Sequence, residues 1–230
     1  MTTAGAVPPS SAMKRKERGR EALDLAFVTA ESGGKVIKGR KDGKSDFKTV
    51  TDTGKSISDK NTSRVIVWIG GGNYIEEIRI NRSKPLVTFY GAPNDMPMLV
   101  YDDIAKECGT VDSATLIVES VYFTAVNLVI VNSAPRPDGR REGAQTVSLR
   151  ISGDKAVFYI YKVYGFQDTI CDDKGKHFCD VFVFCHVPFS GIFCFCKGNF
   201  VFLYFSCRIP WGVPGVSESW LGYFFKFGIL

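Results

Sequence analysis

Histidine and long apolar runs are both scarce in this sequence, and each scarcity argues against a class of protein. His177 and His186 are the only two histidines among the 230 residues, and neither lies near a Ser or Cys in a pattern typical of a catalytic triad. No apolar run reaches the ~20 residues that a membrane-spanning helix needs. The run 181–196 comes nearest, but His186, Pro188 and Ser190 interrupt it.

The N-terminal region lacks the apolar stretch of a secretory signal peptide, so no secretion address is expected. Residues 1–45 are polar and basic, and we expect a flexible basic lead-in with one short helical candidate at 20–30. The net charge of +5 is modest and is not gathered into one tract with interleaved aromatics. We therefore expect no nucleic-acid partner.

Short β-type runs fill the sequence from residue 46 to 170, and no long segment with helical periodicity separates them. The runs are 65–70, 76–80, 85–91, 114–120, 121–133, 144–151 and 155–165. A shift of 35 residues aligns Phe123 with Phe158 and Asn132 with Gln167. Such repeats indicate an all-β solenoid, in which each coil stacks on the last, although an ordinary β-sandwich has similar spacing.

Two short stretches place amides and a carboxylate at strand ends. Gln145 begins a strand after the loop 134–143, and Gln167 and Asp168 end the aromatic run 155–165. If the coils stack, these side chains could form one patch on neighbouring coils. Amides can donate hydrogen bonds to a developing oxyanion, and a carboxyl group can transfer a proton, so the patch has the parts of an acyl-transfer site.

Two other polar motifs have simpler interpretations. GGGNYIEE (70–77) puts Tyr74 and Glu76 on one strand face, and a glycine turn that feeds an edge strand explains it. CDDKGKH (171–177) matches no zinc or calcium spacing, so a polar turn is the better interpretation and no metal site is expected.

Residues 36–178 resemble the plant pectinesterases (pectin methylesterases). The resemblance is carried by GxYxE at 72–76, GAQxVxLR around Gln145 and GFQDT at 165–169, in family order and spacing. The resemblance implies a right-handed parallel β-helix that uses no cofactor or metal. It also implies a monomeric, secreted cell-wall enzyme that hydrolyses galacturonate methyl esters of pectin. By the same resemblance, Asp168 matches the acid/base, and Gln145 and Gln167 match the amides that stabilise the oxyanion.

The family's nucleophile is missing from this sequence. The resemblance implies a second aspartate about 20 residues after the QDT motif, which attacks the ester carbonyl. Phe189 stands at that position, and Asp180 lies too early and in the wrong context to take the role. The later family motif GRPW, with its substrate-binding Arg and Trp, is also absent, so no substrate-binding residue is assigned. An inactive fragment that at most binds pectin is the alternative function.

The composition changes abruptly after about residue 178. The last 53 residues contain 12 of the 18 Phe and 5 of the 7 Cys but only five charged residues. Three hypotheses remain open for 179–230: a membrane segment, a diverged end of the β-helix, or a retained intron or frameshift in the gene. The sequence thus predicts a lead-in (1–45), a β-helix (46–178) and a tail outside the family pattern (179–230).

Overall fold

Short parallel strands dominate the chain. The computed structural model describes residues 28–104, 109, 112–135, 146–165, 169–185, 195–196, 203–207 and 221–225. Residues 28–32 are helical. The named elements are helix α1 (Val50–Lys55) and the strands β1 (Lys35–Gly39), β2 (Val65–Ile69), β3 (Gly72–Ile75), β4 (Ile78–Ile80), β5 (Val87–Gly91), β6 (Pro97–Tyr101), β7 (Leu116–Val118), β8 (Thr124–Asn132), β9 (Leu149–Ile151), β10 (Ala156–Gly165), β11 (Ile170–Asp172), β12 (His177–Cys185), β13 (Phe195–Cys196), β14 (Leu203–Cys207) and β15 (Leu221–Phe225).

The strands stack in register to form a parallel β-helix, as the sequence predicts. The larger sheet runs in the order β1-β2-β5-β8-β10-β12-β14-β15, and the smaller one in the order β13-β11-β9-β7-β4. The long strand β8 pairs with β5 through its first half and with β6 through its second half. Successive passes of the chain therefore add one rung to each sheet, which excludes the sandwich alternative. Only the pairing of β14 with β15 is antiparallel among the described strand pairs.

Alternate residues of each strand point into the coil and build the core. In the larger sheet, one inward column contains Ile37, Val67, Phe89, Ala125 and Phe158. In the smaller sheet, Ile78, Leu116, Leu149 and Ile170 form another. All of these side chains are buried. Burial of such columns supplies the main favourable free energy of a solenoid, because each coil covers the apolar face of the next.

All seven predicted runs contain a strand, with trimmed ends. Strands β1, β6 and β11 to β15 were not predicted, because β1 carries charge, β6 begins at a proline, and the others lie in stretches interpreted as a polar turn or as the tail. The first of these, β1, lies inside the predicted lead-in and pairs with β2 from Lys35 to Gly39. The described solenoid therefore begins before residue 46, and β12 continues it beyond residue 178.

The predicted repeat shift of 35 residues is wrong, because the described register between β8 and β10 is 33 residues. Val157 pairs with Thr124, and Lys162 pairs with Val129. The shift of 35 matched two aromatic residues that touch without being strand partners: the ring centroids of Phe123 and Phe158 lie 5.7 Å apart. Phe123 comes just before β8 begins, whereas Phe158 is inside β10. The two phenylalanines are therefore in side-chain contact between coils but are not strand partners.

Helix α1 lies beside the first coils and is held by a carboxylate. The two Glu76 oxygens accept hydrogen bonds from the backbone N–H groups of Val50 and Thr51, at 2.9 and 2.8 Å. Thr49 caps the helix by accepting from the N–H of Asp52. These contacts satisfy N–H groups that have no partner within a helix. Within the described ranges, no helix has the length and apolar character needed to cross a bilayer.

We predict that Gly153→Ala destabilises the chain by about 1–3 kcal/mol, the usual cost of overpacking. A Cβ atom at Gly153 would lie 1.9 Å from the carbonyl oxygen of Ser120 in the coil below, so the backbone must shift. Gly34→Ala is the matched control, because its nearest neighbours would be 3.6 Å away or more. Urea unfolding of both variants tests this, and equal midpoints would contradict it.

Candidate functional site

The predicted site residues lie outside the described part of the chain, but their sequence neighbours lie inside it. Gln145, Gln167, Asp168 and Phe189 are not among the described residues. Thr146 follows Gln145 directly, and Gly165 and Thr169 flank the stretch 166–168. The geometry of these neighbours defines what we call the site corner: Asn132, Thr146, Ser148, Gly165 and Thr169, between the ends of β8 and β10 and the starts of β9 and β11.

Hydrogen bonds tie two successive coils of the chain together at the site corner. The Ser148 hydroxyl donates to the carbonyl oxygen of Tyr164 and accepts from the N–H of Asn132. The N–H of Ser148 donates to the carbonyl oxygen of Thr169 at 3.0 Å. Ser148 is fully buried, so these bonds are shielded from water. The corner is therefore a rigid frame, which a site needs if its side chains are to be held in place.

Gly165 ends β10 where a side chain would not fit. A Cβ atom there would lie 2.7 Å from the Ser148 hydroxyl, 3.0 Å from the Thr146 carbonyl oxygen and 3.1 Å from the Thr169 methyl group. The glycine of the GFQDT motif is thus required by close packing. It also brings the backbone segment after β10 against the segment before β9.

Asn132 is the polar centre of the site corner. Its side-chain amide donates to the carbonyl oxygens of Val147 and Asp103, both at 2.9 Å, and of Ser113 at 3.2 Å. Its side-chain oxygen accepts from the N–H of Ala134 at 3.0 Å. This buried amide satisfies backbone groups where the chain turns between the two sheets, which a buried turn requires.

Comparison with known proteins gives the same relationship as the motifs. A family model described as Pectinesterase matches residues 36–219. Pectinesterase 2 from Olea europaea is 57% identical over 185 residues, which cover 80% of this chain and 50% of that protein. This chain belongs to the pectinesterase family. It spans about half the length of the curated relatives it matches.

Solved structures of the pectinesterase family show the same fold. Pectin methylesterase from carrot has a TM-score of 0.59 at 19% identity, covering 75% of this chain and 49% of that chain. A pectin methylesterase in complex with hexasaccharide VII has a TM-score of 0.58 at 24% identity, with coverages of 75% and 54%. The family match runs to residue 219, past the visible resemblance that ends near 178. The origin of the tail 179–230 remains a prediction.

The pectinesterase motif GxYxE has a structural role here. Tyr74 is buried and its hydroxyl donates to the carbonyl oxygen of Gly70 at 2.8 Å. Glu76 holds helix α1, and Gly72 adopts a positive φ of 126° that favours glycine. Strand β3 pairs only with β6 among the described strands, so the predicted glycine turn and edge strand are confirmed.

Arg150, the last residue of the QTVSLR stretch, anchors the outer face of β9. Its guanidinium lies 3.0 Å from an Asp173 oxygen, 3.8 Å from Asp112 and 4.0 Å from Glu119. Arg79 contributes a second guanidinium, 2.7 Å from Asp112. Partly exposed ion pairs of this kind contribute little each, so we assign them to positioning of the outer face.

The CDDKGKH stretch is more than the polar turn that the sequence predicts. Only Lys174 and Lys176 are exposed, whereas Asp172 and His177 are buried side by side. Sequence reasoning missed this pair, although Asp172 follows Ile170 at the two-residue spacing of an inward position. No group of three or more His, Cys, Asp or Glu side chains suited to a metal occurs in the described part of the chain.

Proposed function

We propose that this chain carries the oxyanion-stabilising and acid/base part of a pectin methylesterase site, formed by Gln145, Gln167 and Asp168, without the nucleophile. The observation that carries the proposal is the contact between Gly165 and Thr146 at the site corner. Because Thr146 follows Gln145 and Gly165 comes two residues before Gln167, this contact limits how far apart the proposed residues can be.

The proposed chemistry is hydrolysis of galacturonate methyl esters in pectin. The two amides donate hydrogen bonds to the oxygen of the ester carbonyl as it becomes negative. Asp168 gives its proton to the departing methanol and then takes one from water. No cofactor or metal is needed for these steps. The hexasaccharide complex of a structural relative supports an oligosaccharide substrate, and a cell-wall location and a monomeric state belong to the same proposal.

The missing nucleophile limits the proposed activity. A carboxylate must attack the ester carbonyl to form the acyl-enzyme, and the phenyl ring of Phe189 cannot do so. We therefore expect the 230-residue chain to release little or no methanol from esterified pectin. The presence of Phe189 at the position of the nucleophile also favours the second candidate, a chain that binds pectin without hydrolysing it.

We predict that an added nucleophile rescues the reaction. Hydroxylamine attacks the ester carbonyl through its nitrogen, and the methoxide leaves as methanol with the proton that Asp168 supplies. The attacking nitrogen gives up one proton, so that a galacturonohydroxamate forms and Asp168 can be protonated again. With Phe189→Ala, which removes the phenyl ring from the position expected for the nucleophile, methanol release should depend on hydroxylamine. It should fall at least about tenfold with added Asp168→Asn, since general acids contribute ~10²-fold or more. Asp102→Asn, an exposed aspartate, is the matched control and should have no effect.

Three results would count against the proposal. Hydroxylamine-dependent release that ignores Asp168→Asn would show that this aspartate is not the acid. No rescue, together with pectin binding, would favour the binding-only candidate. Fast turnover by the unmodified chain, abolished by Asp168→Asn, would show that another residue is the nucleophile.

A further inference from the structure

A carboxylate interrupts an apolar column inside the β-helix. In the smaller sheet, Ile80, Val118 and Ile151 stack in register and point inward, and the next residue of the column is Asp172. Asp172 is 2% exposed, and its side chain faces the ring of His177. An ionised carboxylate at such a position is costly unless it has a partner of opposite charge.

Both nitrogens of the His177 ring face oxygen atoms. Nδ1 lies 2.9 Å from Oδ1 of Asp172, and Nε2 lies 2.6 Å from the carbonyl oxygen of Gly153. A neutral imidazole has only one N–H, so one of these contacts would then set a lone pair against an oxygen. A doubly protonated ring presents an N–H to the Gly153 carbonyl and a positive charge to the Asp172 carboxylate. The two contacts therefore favour a positive charge on His177 beside an ionised Asp172.

The Asp172 contact depends on charge more than on an ideal hydrogen bond. Its distance is that of an ion pair, but neither Oδ1 of Asp172 nor Nδ1 of His177 meets the angular requirement for a hydrogen bond with any described partner. Both side chains are 1% exposed, so water does not replace the contact. If the charge on the ring is lost, the buried carboxylate has nothing to balance it.

Few other charged groups surround the ring among the residues that the structure describes. Asp154, in the turn before β10, adds a negative charge nearby, and its Oδ1 accepts from the N–H of Lys176 at 2.8 Å. Asp173 turns outward to Arg150, and Lys174 is exposed. The lysines therefore do not compete for the Asp172 carboxylate in the interior.

Gly175 lets the ring approach the Gly153 carbonyl. It has a φ of 103°, and a Cβ atom there would lie 2.9 Å from Nε2 of His177 and 3.0 Å from the Gly153 carbonyl oxygen. The turn 173–176 is thus shaped around the protonated ring. The contact joins the end of β11, the start of β12 and the turn of the preceding coil.

We propose that the Asp172–His177 contact is a charged latch, which closes the step from β11 to β12 while His177 carries two protons and opens when one is lost. This inference is independent of the proposed esterase function. Burial alone lowers the pKa of His177, but the hydrogen bond and charge of Asp172, the Gly153 carbonyl and Asp154 outweigh it and raise that pKa above its ordinary value of 6.5.

The raised pKa sets the direction of the effect. A group whose pKa is higher in the folded chain than in the unfolded chain stabilises the fold fully below its unfolded pKa. That stabilisation is lost as the pH rises through the folded value. The latch is therefore closed in mildly acidic solution and opens toward alkaline pH.

Hydrogen exchange measured by mass spectrometry tests the latch in the full chain. After correction for intrinsic exchange rates, amides of 170–178 should lose protection by about tenfold or more between pH 6 and pH 8.5, the factor that 1.4 kcal/mol supplies. Amides of 65–69 and 87–91 should not change. Asp172→Asn, of the same shape without the charge, should abolish the pH step, as should the apolar pair Asp172→Ile with His177→Val.

The protonation state of His177, measured in the chain that keeps Asp172, tests the proposal even if a variant fails to fold. Nitrogen chemical shifts of His177, assigned with His186→Gln, should show two protonated ring nitrogens at pH 6.5 in the unmodified chain. A singly protonated ring at that pH would overturn the proposal. A pH step of equal size in the Asp172→Asn variant would overturn it as well.

Discussion

Phe123→Ala is expected to lower the free energy of unfolding by about 3–5 kcal/mol, the usual range for truncating a buried aromatic residue. Phe123 is fully buried between two other phenylalanines. Its ring centroid lies 5.3 Å from that of Phe89, edge to face at 70°, and 5.7 Å from that of Phe158. The three rings come from successive coils, so the truncation would leave a cavity between coils that stacked strands cannot close.

Urea unfolding measures this effect, and two variants serve as its controls. Phe123→Leu keeps most of the volume and should cost less than about 1.5 kcal/mol. Phe178→Ala removes the same atoms from a side chain that is 37% exposed, and should cost about 1 kcal/mol or less. If Phe123→Ala and Phe178→Ala shifted the midpoint equally, the aromatic contacts would not be a centre of the core.

The architecture could be predicted from the sequence because β-helix strands have a strong local signal. Runs such as 65–70 and 121–133 are rich in β-branched and aromatic residues and contain no charged residue. Strand β1 was missed because its outward positions Lys35 and Lys38 made it look like part of a basic lead-in. Strand β6 was missed because it begins at Pro97 and is only five residues long.

Contacts between coils could not be read from the sequence in the same way. The column that includes Asp172 joins residues that are far apart in the chain and differ in spacing from coil to coil. A single sequence gives the two-residue alternation within a strand but not the register between strands. This is why CDDKGKH was interpreted as a turn, and why the repeat shift was misjudged by two residues.

The proposed catalytic residues were predicted neither from strand signals nor from contacts between coils. Their assignment rests on family resemblance, which the family match supports, while the described geometry reaches only their neighbours Thr146, Gly165 and Thr169. The polar frame around Ser148 and Asn132 was not predicted, because small hydroxyl and amide residues in a strand-rich sequence give no signal of burial. Close packing after β10 thus explains why the GFQDT motif has a glycine at position 165, whereas the role of Asp168 in the same motif stays a proposal.

Arg64, like Asn132, is a single side chain that bonds to several segments of the chain. Nothing in the sequence around Arg64 indicates this role. Only 10% of its side chain is exposed. Its guanidinium forms two bonds of 2.6 Å and one of 2.7 Å with the carboxylate of Glu31, which is one of the helical residues 28–32. The same group donates to the Thr88 hydroxyl at 3.1 Å and to the Tyr122 carbonyl oxygen at 2.9 Å. It therefore connects three separate segments around β2.

Arg64→Met is expected to destabilise the chain by about 3 kcal/mol, the lower end of the range for breaking a buried ion pair. The lower end applies because the Glu31 side chain is 31% exposed and water can partly hydrate it. Arg82→Met, at an exposed arginine, is the matched control and should change stability by no more than about 0.5 kcal/mol. Arg64→Lys should recover little, since an ammonium group cannot make the paired planar contacts. Urea midpoints rank the three variants, and full recovery by lysine would show that charge alone, rather than the guanidinium geometry, joins the segments.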